Sequence, residues 1–464
     1  MIVRICLILM LAAGLWVLSG CNLRTRDGND LTPQERPSVA SSRHAEAAPT
    51  TSLAGQSRAP AAPAAPKVRV LPDLRSEPTV RVFLAQSPAI VFTLDLAATL
   101  TDGRRLAPGV HRAQAVGGTL VLDGVPMAAE SALQMPVADR RFSAELDPPY
   151  GRNQTLAFAG TPVLRLAGTQ AQLLEELPME SYLAGVLPTE MNPKWPVAAL
   201  SAQAVAARSY ASAKYLERFD KPWQLHWHFS VDMAYAGVTA KRSSNVTEAL
   251  RRTRGQVLMY RNLPVPALFH ACSGGATESA SNVWPTLSGA DRLTSMTGQM
   301  PTVTDAAAEA GAVALGMRRT HWRWKVNIPL PTITRDLQDW ARTHPEDKLT
   351  FGTVSGIAVD SRTADSGRVA QVAITHKLDG RTKRTLISAP DFRMAVDPGE
   401  VRSTWWDSCS VASSKGGILV LSGRGFGHGV GLSQVSAWQM ATEGRSEAEI
   451  CNRFYPQALI ERRW

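Results

Sequence analysis

One stretch constrains the fold more than any other: from Pro196 to about Arg218 the chain carries alanine at 198, 199, 202, 204, 206, 207, 211 and 213. Alanine is the best helix former and adds almost no side-chain bulk. The run therefore predicts a long helix whose backbone can pack closely against its neighbours. A shorter helix is predicted just before it, with Pro178 in the first turn, Met179 and Glu180 next, then the apolar positions Tyr182, Leu183, Val186 and Leu187. Pro188 and Pro193 are expected to break the chain between the two. That places Glu190 alone on a turn held by two rigid elements. Pro188, Met191, Pro193, Trp195 and Pro196 supply apolar cover, which disfavours a charged carboxylate and raises its pKa. A general acid working near neutral pH needs that property.

At 464 residues, with 44% hydrophobic content, the chain can bury a large core. Its start has a different character. Arg4 precedes an apolar run from Ile5 to Val17, followed by Leu18, Ser19, Gly20 and Cys21. This is the layout of a secretory signal peptide over residues 1–20, and its LSGC ending resembles a bacterial lipobox with Cys21 as the lipidated residue. An uncleaved anchor helix is the alternative, and either one places the folded part outside the cytoplasm. Residues 21–66 are rich in Ser, Thr, Ala and Pro and end in APAAPAAP, which predicts a disordered tether. Fully extended, it would reach about 140 Å. Of five cysteines, Cys6 falls in the signal and Cys21 is assigned to lipid, leaving Cys272, Cys409 and Cys451. Cys409 with Cys451 is the disulfide to test in an exported chain.

From 67 to 172, short β-rich runs such as VRVFLA, AIVFTLDL, GTLVLDGV and TPVLRL predict a β-rich front region. Residues 173–464 read as a mixed helix and strand region, so the fold class is α+β, a β-rich front region followed by a catalytic region with a long alanine-rich helix. A hairpin turn is expected at Asn262, Leu263 and Pro264, and a helix over Ile333–Thr343. A strand at Ile418–Gly423 precedes alternating glycines at 423, 425, 427, 429 and 431. A helix from about Gln434 to Glu443 ends at Gly444, and Ser446 with Glu449 forms a capping box for the last helix.

The glycine series is not a nucleotide loop, because 428, 430, 432 and 434 are His, Val, Leu and Gln rather than glycine. Alternating glycines leave one face bare, so either backbone or a sugar ring can approach. His428, Ser433 and Gln434 then point polar groups into that space, or bond internally to support the fold. Ser273, Gly274, Gly275 and Thr277 suit a sugar-binding turn by the same logic, with Glu278 beside them. Gln203 and Tyr210 share a face of the long helix and either reach a cleft or pack in the core.

The residues of this region resemble a known family. A Glu in a PxEM-type turn followed by AQAVAARSYA, then FHACSGGATESASNVW, DFRMAVDPGEVRSTWW, GRGFGHGVGLSQ and RFYPQALI, is similar to the stage II sporulation protein D family in five blocks from about Leu177 to Ile460. The resemblance implies a domain over residues 173–464 with a middle insertion at about 286–417. It also implies lytic cleavage of peptidoglycan glycan strands with Glu190 as the acid, and peptidoglycan and a cell-wall amidase as partners; the membrane is a partner through the lipid that the LSGC ending predicts at Cys21. Ordinary glycoside hydrolysis uses two carboxylates; a lytic enzyme needs one, and no paired second carboxylate stands in a comparable turn. Glu180, in a helix first turn, complements the helix dipole. A non-catalytic enhancer of an amidase, or a hydrolase with an unrecognised second carboxylate, are the other readings. Some family members hold zinc with a His and two Cys after the long helix. This chain has no Cys between Cys21 and Cys272, and His226, His228 and Asp232 are too few for such a site. No metal or other cofactor is expected. The formal charge of +10 fits either a basic groove for the lactyl carboxylates of peptide-stripped glycan or a dispersed solvated surface, and no concentrated Lys/Arg run argues for nucleic acid.

Overall fold

Apolar residues alternate with polar ones along the front strands, so each strand buries one face. Thr79–Ser87 and Ala89–Leu94 both show this period of two. A computed structural model of the chain describes residues 74–136, 141–146, 154–239, 243–284, 300–413 and 416–464. The signal segment, the tether and the lipidation candidate Cys21 lie outside the described residues.

Two sheets build the front. One runs in the order Leu225–His226, Thr79–Ser87, Gln170–Pro178, Thr161–Ala167, Glu130–Gln134, Ala98–Leu100 and Arg105–Leu106. The other contains Gln154–Phe158, Phe142–Leu146, Ala89–Leu94, Gly109–Val116, Thr119–Leu122 and Val125–Met127. Val80, Val82, Phe92, Leu94, Phe142, Phe158 and Leu173 join their inner faces in one core. Most pairings are antiparallel, but Leu225–His226 adds to Val82–Phe83 in parallel. That short strand follows the long helix and ties its exit to the sheet.

Strand Gln170–Pro178 runs directly into helix α1 (Met179–Glu190), so the sheet edge aims the helix. Helix α2 (Val197–Glu217) begins after Pro196 and ends at Arg218, as the alanine run predicts. Every residue from Ala199 to Ala213 is buried. A helix enclosed on all sides has no polar face to show, and alanine lets its neighbours come close. Those neighbours are α1, α3 (Ser244–Arg252), strand Gln256–Tyr260, and two C-terminal helices described below. The charged residue in this core, Arg208, is neutralised: its Nε and Nη2 donate to Glu180 of α1 at 2.9 and 2.7 Å. Glu180 thus does more than complement a helix dipole. The hairpin turn falls at Arg261 and Asn262, both with positive φ (48° and 63°), one residue earlier than the sequence suggests.

After α4 (Ala280–Val283) and α5 (Ala307–Ala314), strands Arg323–Pro329, Ile418–Arg424 and Trp406–Ala412 form a three-stranded sheet. A second such sheet, Thr353–Arg362, Val369–Leu378 and Arg381–Ser388, packs with α6 (Leu330–Thr343) and α7 (Ala389–Val396) around a separate core that includes Ile333, Leu337, Ile374, Phe392 and Trp406. α8 (Gln434–Thr442) stops at Glu443 before Gly444 (φ 85°), and α9 (Glu447–Phe454) opens on the Ser446–Glu449 capping box. Helices and strands are thus intermixed, and the fold is α+β.

The cysteine expectation is corrected. Cys451 on α9 lies in the α2 core with its thiol toward the Ala202 carbonyl, whereas the Cys409 thiol faces the Ile357 carbonyl beside the other core. Both are free thiols, as is Cys272. No helix among the described residues is long and apolar enough to cross a membrane.

Candidate active site

Glu190 is the last residue of α1, not a turn residue. Proline at 188 removes one N–H, but in the final turn that loss does not end the helix. The Met191 N–H still donates to the Leu187 carbonyl at 3.1 Å, and Met191 then turns extended. The acid therefore projects from a rigid helix end that is only partly exposed. Burial pushes its pKa up to about 7, against the opposing pull of one hydrogen bond, from the Ala234 N–H to Oε1 at 2.9 Å.

Ala234 belongs to the loop after the short strand Leu225–His226, and this loop wraps the end of α1. Thr189 donates its hydroxyl to the Ala234 carbonyl at 2.8 Å, and the Ala236 N–H donates to the Gly185 carbonyl at 3.2 Å. Gly185 is needed there, because a Cβ would stand 2.4 Å from the Tyr235 ring. Tyr235 donates to Glu175 of the front sheet at 2.8 Å.

The loop is fastened by Asp232, whose side chain is fully enclosed. One oxygen accepts from Tyr210 Oη of α2 at 2.9 Å; the other accepts from Arg218 Nη1 at 2.9 Å and the His226 N–H at 2.8 Å. Tyr210 is thereby occupied, and its hydroxyl pKa is raised by burial and by Asp232. His226 stacks on Phe83 at 5.0 Å, and the Ser230 N–H donates to His228 Nδ1 at 3.2 Å. Burial pushes both imidazoles down to about 4, so they are neutral at physiological pH. Among the described residues no group of His, Cys, Asp and Glu is arranged as a metal cage.

The other candidates form a different, mostly closed assembly. Ser273 donates to Asp305 at 2.6 Å, and its own N–H donates to Ser433 Oγ at 3.2 Å. Ser436 also donates to Asp305 at 2.6 Å, and burial raises the Asp305 pKa. Thr277 accepts from the Val303 N–H at 2.8 Å. Glu278 is 1% exposed and accepts from Thr363 and Ser366 at 2.8 and 2.6 Å, and from Asn282 at 2.9 Å. Ser273, Thr277 and Glu278 thus have their polar groups turned inward rather than lining an open turn, and Ser433 takes the internal bonding that is one of its two expected roles. Gln434 is buried, and Gln203 is fully buried with no hydrogen-bond partner for its amide among the described residues.

The alternating glycines are closed by protein rather than open to a sugar. A Cβ at Gly427 would meet His270 Cβ at 2.8 Å, at Gly429 the Arg368 guanidinium at 2.7 Å, and at Gly431 the Leu268 carbonyl oxygen at 1.9 Å. Gly274 (φ 75°) is likewise pressed on the Gly425 backbone, while Gly275 (φ 119°) stays partly exposed against Trp322. Arg368, 1% exposed, donates to the Ser273 and Ala276 carbonyls and stacks on Trp405 at 5.0 Å. His428 is partly exposed beside Trp284 and His270, and burial pushes it down to about 3.

The residues that sequence reasoning missed are Asp305, Arg368 and the Ala234 N–H. Asp232 entered only as a weak metal candidate. A backbone donor leaves no sequence signal, and the partners of Asp305 and Arg368 are distant in the chain. For Asp232 the cue was its place near His226 and His228.

Fold and site together define an α+β protein that presents one desolvated glutamate at a helix end. A profile described as Stage II sporulation protein matches residues 167–260, and a Domain of unknown function (DUF8618) matches residues 310–431. The chain is 30% identical over 288 residues to an uncharacterized protein of Brachyspira hyodysenteriae, covering 61% of this chain and 66% of that one. It is 25% identical to the amidase enhancer of Bacillus subtilis, over 60% of this chain and 40% of that protein. It is 25% identical to the stage II sporulation protein D of Bacillus amyloliquefaciens, over 63% and 76%. The chain spans less than two thirds of the length of the first two relatives. Over residues 167–260 and along about three fifths of its length, the chain is similar to the stage II sporulation protein D family.

Proposed function

We propose that this protein is a peptidoglycan lytic transglycosylase with Glu190 as acid and then base. The observation that carries the reading is the Glu190 carboxyl itself, partly exposed, held by one N–H and raised by burial to about 7. At neutral pH it is present both with and without its proton, as an acid that becomes a base requires. Protonated Glu190 gives its proton to the glycosidic oxygen between the muramyl C1 and the next sugar, and the C1–O bond breaks. The resulting carboxylate takes the proton of the muramyl C6 hydroxyl while that oxygen closes on C1. Water is not consumed, and the products are a 1,6-anhydro-muramyl end and a free hydroxyl on the leaving sugar.

The substrate is glycan stripped of its stem peptides, whose lactyl carboxylates suit a chain of charge +10. Gly275 and His428, both partly exposed, are the members of the second assembly we assign to the substrate side, with Ser273, Gly274, Thr277, Glu278, Ser433 and Gln434 supporting them from beneath. Gln203 and Tyr210 act from within α2. The protein is exported, anchored by lipid at Cys21, and works beside a wall amidase. The similarity to an amidase enhancer favours one further reading, a glycan-binding protein that assists an amidase without cleaving. Mass spectrometry of products from intact and amidase-stripped peptidoglycan, with wild type and Glu190→Gln, separates them. Anhydro ends from stripped glycan that vanish in the variant support the enzyme, and binding without products supports the enhancer.

A further inference from the structure

We propose that Asp232 is a positioning residue for Glu190, anchoring the loop whose Ala234 N–H holds the acid and whose cover keeps water from it. This rests on the reading of Glu190 as the acid. The geometry is a chain of contacts two residues long. Asp232 gathers three donors from two elements: Tyr210 within α2 and Arg218 at its C-terminal cap, and the His226 N–H from the strand tied to the front sheet. Ala234 follows two positions later and donates to Glu190, while the Thr189 hydroxyl beside Glu190 holds the Ala234 carbonyl. The loop is thus pinned at one end by a carboxylate and closed over the helix end at the other.

A fully enclosed carboxylate with three donors on two oxygens is well satisfied. Its removal leaves the Arg218 guanidinium, the Tyr210 hydroxyl and the His226 N–H without that acceptor, in a setting where unpaired groups are costly. The loop then opens, and Glu190 feels two opposed changes. Loss of the Ala234 N–H raises its pKa, and entry of water lowers it. Burial is the larger cause of the shift, so the net movement is downward, toward an ordinary carboxyl.

The titratable and charged groups around this device are identifiable. Tyr182 of α1 is buried with its hydroxyl unpartnered among the described residues, and it lies in the field of both Asp232 and Glu190. From α2 and its end come Tyr210, Lys214 over the Tyr210 ring, Glu217 and Arg218. The loop and sheet contribute His226, His228 and the Glu175 that receives Tyr235. The two histidines are neutral above about pH 5, so the movement is not theirs.

The test is a titration of Glu190 by carbon NMR of the full chain labelled at glutamate side-chain carboxyls. The resonance absent from Glu190→Gln gives the assignment. Asp232→Ala and Asp232→Asn are compared with wild type, and folding is checked by near-ultraviolet circular dichroism. Wild type is expected to titrate near 7. Asp232→Ala should move the midpoint down by at least about one pH unit, a tenfold change in the ionisation ratio. Asp232→Asn keeps the shape but loses the charge opposite Arg218, and its midpoint should fall between the two. Should Asp232→Ala fail to fold, Asp232→Asn alone decides. Unmoved midpoints in the folded variants overturn the proposal, as does an ordinary wild-type midpoint. A shifted midpoint in a chain that cleaves no glycan leaves Asp232 as the anchor and removes the lytic reading instead.

Discussion

Above neutral pH the Glu190 carboxyl works against folding, and Glu190→Gln should relieve it. The folded-state pKa is about 7 against an ordinary glutamate value of 4.5, and the direction follows from burial of the charged form. A carboxyl raised on folding binds more protons in the native than in the unfolded state, so stability falls as pH rises from the unfolded to the folded pKa. The full difference is about 2.5 pH units, which is about 3.5 kcal/mol at about 1.4 kcal/mol per unit before solvent screening of the partly exposed group reduces it, and it is fully expressed only above about pH 7. Glutamine keeps an oxygen to accept from the Ala234 N–H and carries no charge. Urea unfolding of both proteins between about pH 4 and pH 8 should give nearly equal stabilities at the acid end. At the alkaline end the variant should be more stable by about 2 to 3 kcal/mol. A stability difference that stays constant with pH, or a variant less stable at the alkaline end, would refute the claim that Glu190 is desolvated.

Removing the guanidinium in Arg208→Ala takes the counter-charge from the largely buried Glu180, leaving it only the Gly255 N–H and the Trp464 indole as donors, and should cost about 3 kcal/mol in urea unfolding. Gly431→Ala places a Cβ 1.9 Å from the Leu268 carbonyl at φ 71°, and the variant should be markedly less stable or fail to accumulate as folded protein, read by thermal melting. Ser446→Ala removes the capping box of α9 and should lower stability by about 1 kcal/mol, a small but measurable drop in melting temperature.

What the sequence discloses tracks how local the governing physics is. Helix α2, the stop at Gly444, the capping box and the turn near Asn262 are set by neighbouring residues, and each is read within a residue or so of where it lies. Pro188 misleads because a proline in the last turn removes a hydrogen bond the helix can spare, so α1 continues to Glu190. The alternating glycines point to close approach, but only tertiary structure reveals that the approaching groups are residues 268–273, Arg368 and, at Gly423, Trp324 and Trp405. Glu278 reads as a cleft acid until Thr363 and Ser366, some 85 residues away, close over it. Cys409 and Cys451 share a chain end but not a core. Asp232 is visible as a candidate beside two histidines, while its three donors come from elements no spacing rule connects.

Digestion of peptide-stripped glycan in water enriched in heavy oxygen, followed by mass spectrometry of the new ends, tests the single-carboxylate claim most directly. Anhydro-muramyl ends without heavy oxygen are the expected result with wild type, and none with Glu190→Gln. Reducing ends that carry the heavy isotope would contradict it, because water would then be the nucleophile and a second carboxylate would be at work.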